Sequence, residues 1–419
     1  MHRVSAFLLF GAFALRFGQP FSNKHVISRH TRPASALFLG GTDADRSKHH
    51  VVNDRINERD DDCACLAAMT RTTLLRKGAA IAVSTAVALF PRSAAASPSG
   101  AANTVLITGA NSGIGKAIAE QLANKGYQVV LGCRTVEKAR TTAAEIEAAH
   151  ADDATTATIT YPTSPLDLAD LESVASFAAE VRTLPLIPSL AGLVLCAGID
   201  GAPETRTAQG QELHMSVNHL GHMLLAVELM DLLRKHGESR VISLTSSAAL
   251  DAAPQLFDDL SWAKHKYDKR QAYCVSKACN VLFADHLAVR ERERGSKVFS
   301  ASVDPGPAVT QIVRYELPQR AEQRRGMTPA QLERQAKQLG FRTPDQAGSG
   351  VVSLMDQGIG EEMLLISGGM YLGIAAPPGE LGPLITSPIL WRTPAMAAKV
   401  WAASVDLIRR YASENAILV

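Results

Sequence analysis

The chain of 419 residues has almost no excess charge and no cysteine spacing suited to a metal, and its first apolar run is too short to span a bilayer. Its 43 basic and 41 acidic side chains leave a formal net charge of +2. It carries no broad basic field, and no nucleic-acid partner is expected. Cysteines stand at 63, 65, 133, 196, 274 and 279, and none joins a second Cys or His cluster at ligand spacing, so no metal site is expected. Cys63 and Cys65 fall in a polar stretch expected to be disordered. The other four fall in expected strands or helices, where cysteine behaves as a small apolar residue. No internal repeat or coiled-coil pattern is present, which argues against a scaffold.

Acidic residues are also missing from the start of the chain, the first being Asp43. His2 and Arg3 precede an apolar run from Ala6 to Leu15, the layout of a signal peptide. The stretch from Ser22 to Arg32 is rich in Ser, His, Arg and Lys, as transit peptides are. A second apolar segment, Ala79 to Phe90, ends in small residues from Ser93 to Ser97. Residues 1–97 are therefore read as a disordered targeting leader and 98–419 as the catalytic domain. The layout resembles the bipartite leaders of plastid proteins, which implies the stroma or a stroma-facing membrane. The alternative is a membrane anchor over residues 74–97, giving an endomembrane-anchored protein and membrane association through this segment.

From Thr104 onward, short apolar runs alternate with Ala-rich helical patterns. Strands are expected at 105–107, 128–131, 158–161, 193–195, 240–244 and 298–303. Helices are expected at 116–125, 135–150, 170–183, 211–235, 271–294 and 344–356. The alternation predicts an α/β protein, a Rossmann-type doubly wound parallel sheet with helices on both faces, in a single catalytic domain. A polar segment near 313–340 reads as a helical insertion or lid, with Ile312, Val313 and Leu317 as its apolar side.

Thr108-Gly109-Ala110-Asn111-Ser112-Gly113-Ile114-Gly115 falls where the first strand ends and a helix begins. Glycines there permit a tight turn and let backbone N–H groups approach a pyrophosphate at the positive helix end. Tyr273 and Lys277 stand four apart at the start of an expected helix and so share one face. A free phenol titrates near ~10, and bringing it to neutrality takes about 4 kcal/mol, which a nearby ammonium is expected to supply. Ser247, placed at the end of the fifth strand, is the expected hydrogen-bond donor to a substrate oxygen.

The glycine turn, Ser247 and the Tyr273/Lys277 pair in this order resemble the short-chain dehydrogenase/reductase family. The resemblance covers residues 104–410. It implies a nucleotide site made by Gly109, Asn111, Ser112, Gly113, Ile114 and Gly115, with Asp167 and Leu168 beside the adenine. Ala197 and Gly198 follow the fourth strand, and Pro305 and Gly306 lie beside the nicotinamide. Asn218 matches the asparagine of the family's proton relay, which makes Asn218, Ser247, Tyr273 and Lys277 the expected catalytic set, three of which also contact the cofactor. Cys196 departs from the family's usual asparagine, and a local hydrogen bond is expected to be lost there. The second strand ends in Gly132-Cys133-Arg134 with no acidic residue to hold a ribose hydroxyl. Arg134 is the expected partner of a 2′-phosphate, so the cofactor is NADP(H).

Asn218-His219-Leu220-Gly221-His222, Phe257-Asp258-Asp259-Leu260 and Ser367-Gly368-Gly369-Met370-Tyr371 are similar to retinol-dehydrogenase-type members. That branch implies hydride transfer between the nicotinamide and a lipophilic alcohol or carbonyl substrate, in a homo-oligomer. Light-dependent protochlorophyllide reductase is the alternative within the family. Against it, the connection from Ser247 to Tyr273 is short, and Pro307 stands where those reductases have cysteine. A non-catalytic NADP(H)-binding regulator is the alternative from another class.

Overall fold

Short stretches dominated by aliphatic and β-branched residues set the sheet of this protein, described here from a computed structural model. The structure describes residues 103–150, 158–310, 312, 328, 331, 334, 338, 340–360, 363–364, 367–372, 379–385 and 388–417. All belong to one compact unit, Arg59–Val419. The expected leader, residues 1–97, lies outside the described residues, as do Val313 and Leu317 of the expected lid.

Strands β1 (Thr104–Thr108), β2 (Gln128–Gly132), β4 (Gly192–Leu195), β5 (Ser239–Leu244) and β6 (Val298–Asp304) are buried along their whole length, while β3 (Ile159–Thr160) is a half-buried edge. Burial on both faces is why these runs show no polar alternation. A seventh strand, β7 (Gly369–Leu372), was not expected from the sequence. It is four residues long and follows Gly368 at φ +89, so no periodicity could develop. All pairings are parallel, in the order β3-β2-β1-β4-β5-β6-β7.

Helices α1 (Gly113–Ala123), α2 (Val136–Ala149) and α6 (Pro344–Asp356) pack one face through Ile118, Leu122, Ile146, Val351 and Met355. Helices α3 (Leu171–Thr183), α4 (Gly221–His236) and α5 (Lys269–Glu293) pack the other through Phe177, Leu224, Val275 and Leu282. The chain leaves along β3 at one edge and returns to place β4 on the other side of β1. That reversal opens a crevice beyond the C-terminal ends of β1 and β4, where open sheets of this kind bind ligands.

Two local devices matter for what sits there. α5 starts where Asp268 accepts the backbone N–H groups of Arg270 and Gln271 at 2.9 and 3.0 Å, which fixes the rotation of the helix behind it. α4 is entered through a helical turn, Leu213–Met215, and a π-helical stretch, Ser216–Leu220. A further helix, α7 (Pro394–Ile408), lies along α5. Its Trp401 stacks on Phe283 at 5.7 Å, with Arg290 5.4 Å above the indole ring, and its Ser404 hydroxyl meets His219 Nε2 at 2.8 Å. Among the described residues, no helix is long and apolar enough to cross a membrane.

Candidate active site

The crevice holds a cavity of about 340 Å³. Its floor is the turn from Gly109 to Gly115, and its sides are Gly132 and Arg134 after β2, Leu166 to Ala169, and Cys196 to Ile199 after β4. Gly109 has φ +66, and an added Cβ would sit 3.0 Å from Ala197. A Cβ on Gly115 would fall onto the Gly109 carbonyl. Only glycine lets the turn close so tightly over the start of α1, leaving a cradle of backbone N–H groups. Asn111, Ser112, Gly113 and Ile114 line the same cavity. Asp167 spends Oδ1 on the N–H of Ala169 at 3.0 Å, which shapes the turn carrying Leu168 into the wall.

Arg134 and Lys138 both line the far end and are exposed. Lys138 was missed by sequence reasoning. Its position four residues after Arg134, in the first turn of α2, was the available signal. Two cations with no acidic residue between β2 and α2 suit a 2′-phosphate rather than a free ribose hydroxyl.

Tyr273 and Lys277 rise from α5 and are buried, at 7% and 3% exposure; neither lines this cavity, but Lys277 Nζ stands behind Gly198, which does. The Lys277 ammonium lies 6.0 Å from the centre of the Tyr273 ring and donates to the Leu244 carbonyl at 3.1 Å. Burial pushes this lysine down to about 8. The expected depression of the phenol is not what the structure has. Burial, then the carboxylate of Asp200, hold Tyr273 well above the ordinary phenol value, with Asp304 adding to them.

A second correction concerns the serine. The side-chain hydroxyl bonded to Tyr273 is that of Ser246, not Ser247. Strand β5 ends at Leu244, where the apolar run ends, and Ser247 does not close it but opens the 3-10 helix Ser247–Asp251. Ser246 caps that turn, leaving Ser247 as its first residue.

Asn218 lies in the π-helical stretch and is fully buried. Its Oδ1 accepts from the Ile199 N–H at 2.9 Å, and its Nδ2 donates to the Ile199 carbonyl at 3.0 Å and to Ser276 Oγ at 2.9 Å. The side chain is thus a brace between β4 and α5. Pro305 and Gly306 are held by Arg342, whose Nη1 donates to the Pro305 carbonyl at 3.1 Å. They do not line the cavity described above; Thr310 and Ile312 of the same loop do.

The bond expected to be lost at Cys196 is made good from elsewhere. Thr108 Oγ1 accepts the N–H groups of Cys196 and Ala197 at 2.9 and 3.0 Å and meets His222 Nε2 at 2.8 Å. With both lone pairs used, the threonine must donate to Nε2, so Nδ1 carries the ring proton and donates to the Asn218 carbonyl at 3.1 Å. Burial holds His222 neutral, down to about 3. The chain Thr108–His222–Asn218 therefore ties the glycine turn to the π-helical stretch.

A seven-stranded parallel sheet with a glycine cradle at its switch point is a Rossmann-like fold of the doubly wound kind. The short chain dehydrogenase family model matches residues 103–258. Human retinol dehydrogenase 11 is 39% identical over 215 residues, 50% of this chain and 63% of that protein. Human retinol dehydrogenase 13 is 38% identical over 216 residues, 51% of this chain and 61% of that protein. The match thus spans a little over six tenths of the length of these curated relatives. An uncharacterized protein from Mycobacterium paratuberculosis has a similar structure, with a TM-score of 0.54 and 26% identity, covering 75% of this chain and 97% of that one. Residues 103–258 thus carry the short chain dehydrogenase pattern, and the chain resembles the retinol dehydrogenases.

Proposed function

We propose that the protein is an NADP(H)-dependent oxidoreductase acting on a lipophilic alcohol or carbonyl substrate, with Tyr273 as the acid/base. The observation that carries this reading is the closeness of the Tyr273/Lys277 pair on α5 to a cavity lined by the glycine turn, Arg134 and Lys138, with Lys277 Nζ directly behind Gly198 of its wall. The residues fit such a cofactor. A Cβ on Gly198 would stand 3.3 Å from both Asn218 Oδ1 and Lys277 Nζ, so glycine keeps the approach to the lysine open.

Bound in this cavity, the dinucleotide supplies or takes up the hydride. The backbone of Gly109 to Gly115 would hold its pyrophosphate, and Arg134 and Lys138 would hold the 2′-phosphate. Lys277 can leave the Leu244 carbonyl to hold ribose hydroxyls. Ser246 orients the substrate oxygen against the Tyr273 hydroxyl. Burial and Asp200 keep that phenol protonated, the form that gives its proton to a carbonyl oxygen as the carbon is reduced. Ile312, half-buried on the rim, contributes to the apolar wall that suits a lipophilic substrate.

The test is oxidation of NADPH by the full chain with a panel of lipophilic aldehydes, in darkness and under light. Dark turnover that falls about 10²- to 10⁴-fold in Tyr273→Phe, with NADPH binding kept, supports the reading. NADPH binding without turnover in any arm overturns it in favour of a regulator, and turnover of protochlorophyllide only on illumination overturns it in favour of the pigment reductase. Fluorescent fusion of the whole chain decides between the plastid and endomembrane readings of residues 1–97.

A further inference from the structure

Two fully buried polar side chains, Glu212 and His214, stand at the helical turn that leads into the π-helical stretch. Glu212 caps this turn. Its Oε2 accepts the Met215 N–H at 2.7 Å, and its backbone carbonyl accepts the Ser216 N–H at 2.8 Å. Its Oε1 lies 2.9 Å from His214 Nδ1 and 3.1 Å from the Tyr267 hydroxyl, which stands equally 3.1 Å from the Ala202 carbonyl. On the far side of the imidazole, Nε2 accepts the Ala202 N–H at 3.2 Å. A backbone N–H can only donate, so the ring proton sits on Nδ1, directed at the Glu212 carboxylate. One carboxylate thus caps a turn and fixes the rotation of a histidine.

The ring so fixed meets Tyr273 of α5 in a T-shaped contact, with centroids 6.4 Å apart and planes at 66°. That spacing lies within the range of attractive aromatic pairs. Four residues further on, Asn218 grips the same two elements. Its amide holds both backbone groups of Ile199 and donates to Ser276 Oγ, whose hydroxyl donates to the Tyr273 carbonyl at 2.8 Å. The segment from Glu212 to Asn218 therefore holds the β4 loop at Ile199 and Ala202, and reaches Tyr273 both at its ring and, through Ser276, at its carbonyl. A buried carboxylate paired with an imidazole is a weak source of stability, because apolar side chains of the same volume stabilise a core as well. What the pair supplies is direction: Glu212 fixes the imidazole, and the imidazole supports the phenol.

We propose that His214, oriented by Glu212, is a positioning residue that aims the phenol of Tyr273 for proton transfer. This rests on the oxidoreductase reading above and adds to it the means by which the acid/base is held. His214 does not itself carry the proton, since its N–H is committed to Glu212 and its lone pair to Ala202. A phenol that loses the support of this ring can turn about its side-chain bonds, and a displacement of about 1 Å near the reacting atoms lowers turnover about 10²-fold. The nucleotide contacts of the glycine turn, Arg134 and Lys138 lie on other elements and are left in place.

The experiment uses the full chain with NADPH and two aldehyde probes, decanal and all-trans-retinal. Binding sites are counted by NADPH fluorescence titration and kcat is expressed per site, so that loss of folded protein does not register as loss of turnover. His214→Phe keeps a ring but neither hydrogen bond, and its kcat per site is expected to fall about 10²-fold with NADPH affinity close to wild type. Glu212→Gln keeps the volume and loses one acceptor, and is expected to fall about tenfold. Being isosteric, it keeps the test open where His214→Phe does not fold. In both, the solvent isotope effect on kcat, D₂O against H₂O, is expected to rise, because transfer of the Tyr273 proton becomes the slow step. In a Tyr273→Phe background, adding His214→Phe should lower the residual turnover no further, since the two act as a unit. An unchanged kcat and isotope effect per binding site overturn the proposal and leave the pair a support of the fold, as does loss of NADPH binding in both variants. An equal further fall in the Tyr273→Phe background also overturns it, placing the effect on another group. A wild-type protein that binds NADPH but turns over neither probe nor the aldehyde panel overturns the oxidoreductase reading, and this proposal with it.

Discussion

The nucleotide end of the crevice and its substrate end are held by different kinds of bond. The nucleotide end is made of backbone: a seven-residue turn with two close approaches and an aspartate serving an N–H two residues away. The substrate end is made of side chains that meet across long stretches of sequence. Asn218 reaches Ser276 across 58 residues, and His219 reaches Ser404 across 185. A backbone-built site tolerates change in most of its side chains, because the groups that bind are the same in every residue. A side-chain-built site loses its geometry with a single truncation, since each buried partner left unpaired costs about 1–3 kcal/mol.

The sharpest way to test this contrast is at the serines. Ser246→Ala should lower kcat about 10²-fold, as removal of a single pre-aimed donor to a reacting oxygen does. Ser247→Ala, one residue on, should change kcat far less, and the reverse order would show that the chain turns differently after β5. At the nucleotide end, Arg134→Ala should raise the Kd for NADPH about tenfold while leaving that for NADH nearly unchanged, because only a charge-assisted contact to one phosphate is lost. Equal weakening of both would place the arginine elsewhere on the dinucleotide. Smallest in kinetic terms is Thr108→Val, which strands the N–H groups of Cys196 and Ala197. It should destabilise the fold by about 1–3 kcal/mol in urea unfolding, and an unchanged midpoint would mean the junction finds other partners.

The same contrast decides what the sequence could reveal. Six strands and six helices were legible because buried strands are continuous apolar runs and the helices keep a 3.6-residue period. The glycine turn was legible because its constraint lies within consecutive residues. Tyr273 and Lys277 were legible because four residues make one helical turn. Ser246 was misread as Ser247 because the end of a buried strand carries no polar mark, and two adjacent serines differ only by where the chain turns. β7 was too short to show a period. The bond between Thr108 and His222 was missed because hydrogen bonds between distant segments leave no spacing to find. The rise in the Tyr273 pKa was missed because its largest cause is burial, followed by Asp200, which lies 73 positions earlier in the chain.

Helix α7 bears on self-association. The resemblance to the family implies a homo-oligomer built along the helix carrying Tyr273, yet one side of α5 is already occupied by Trp401 and its neighbours from the same chain. A tethered segment competes with any free copy at an effective concentration set by its own linker rather than by the protein in solution. A second molecule binding that side of α5 must therefore displace Pro394–Ile408 or exchange it for its own, and the exchange would give a domain-swapped dimer.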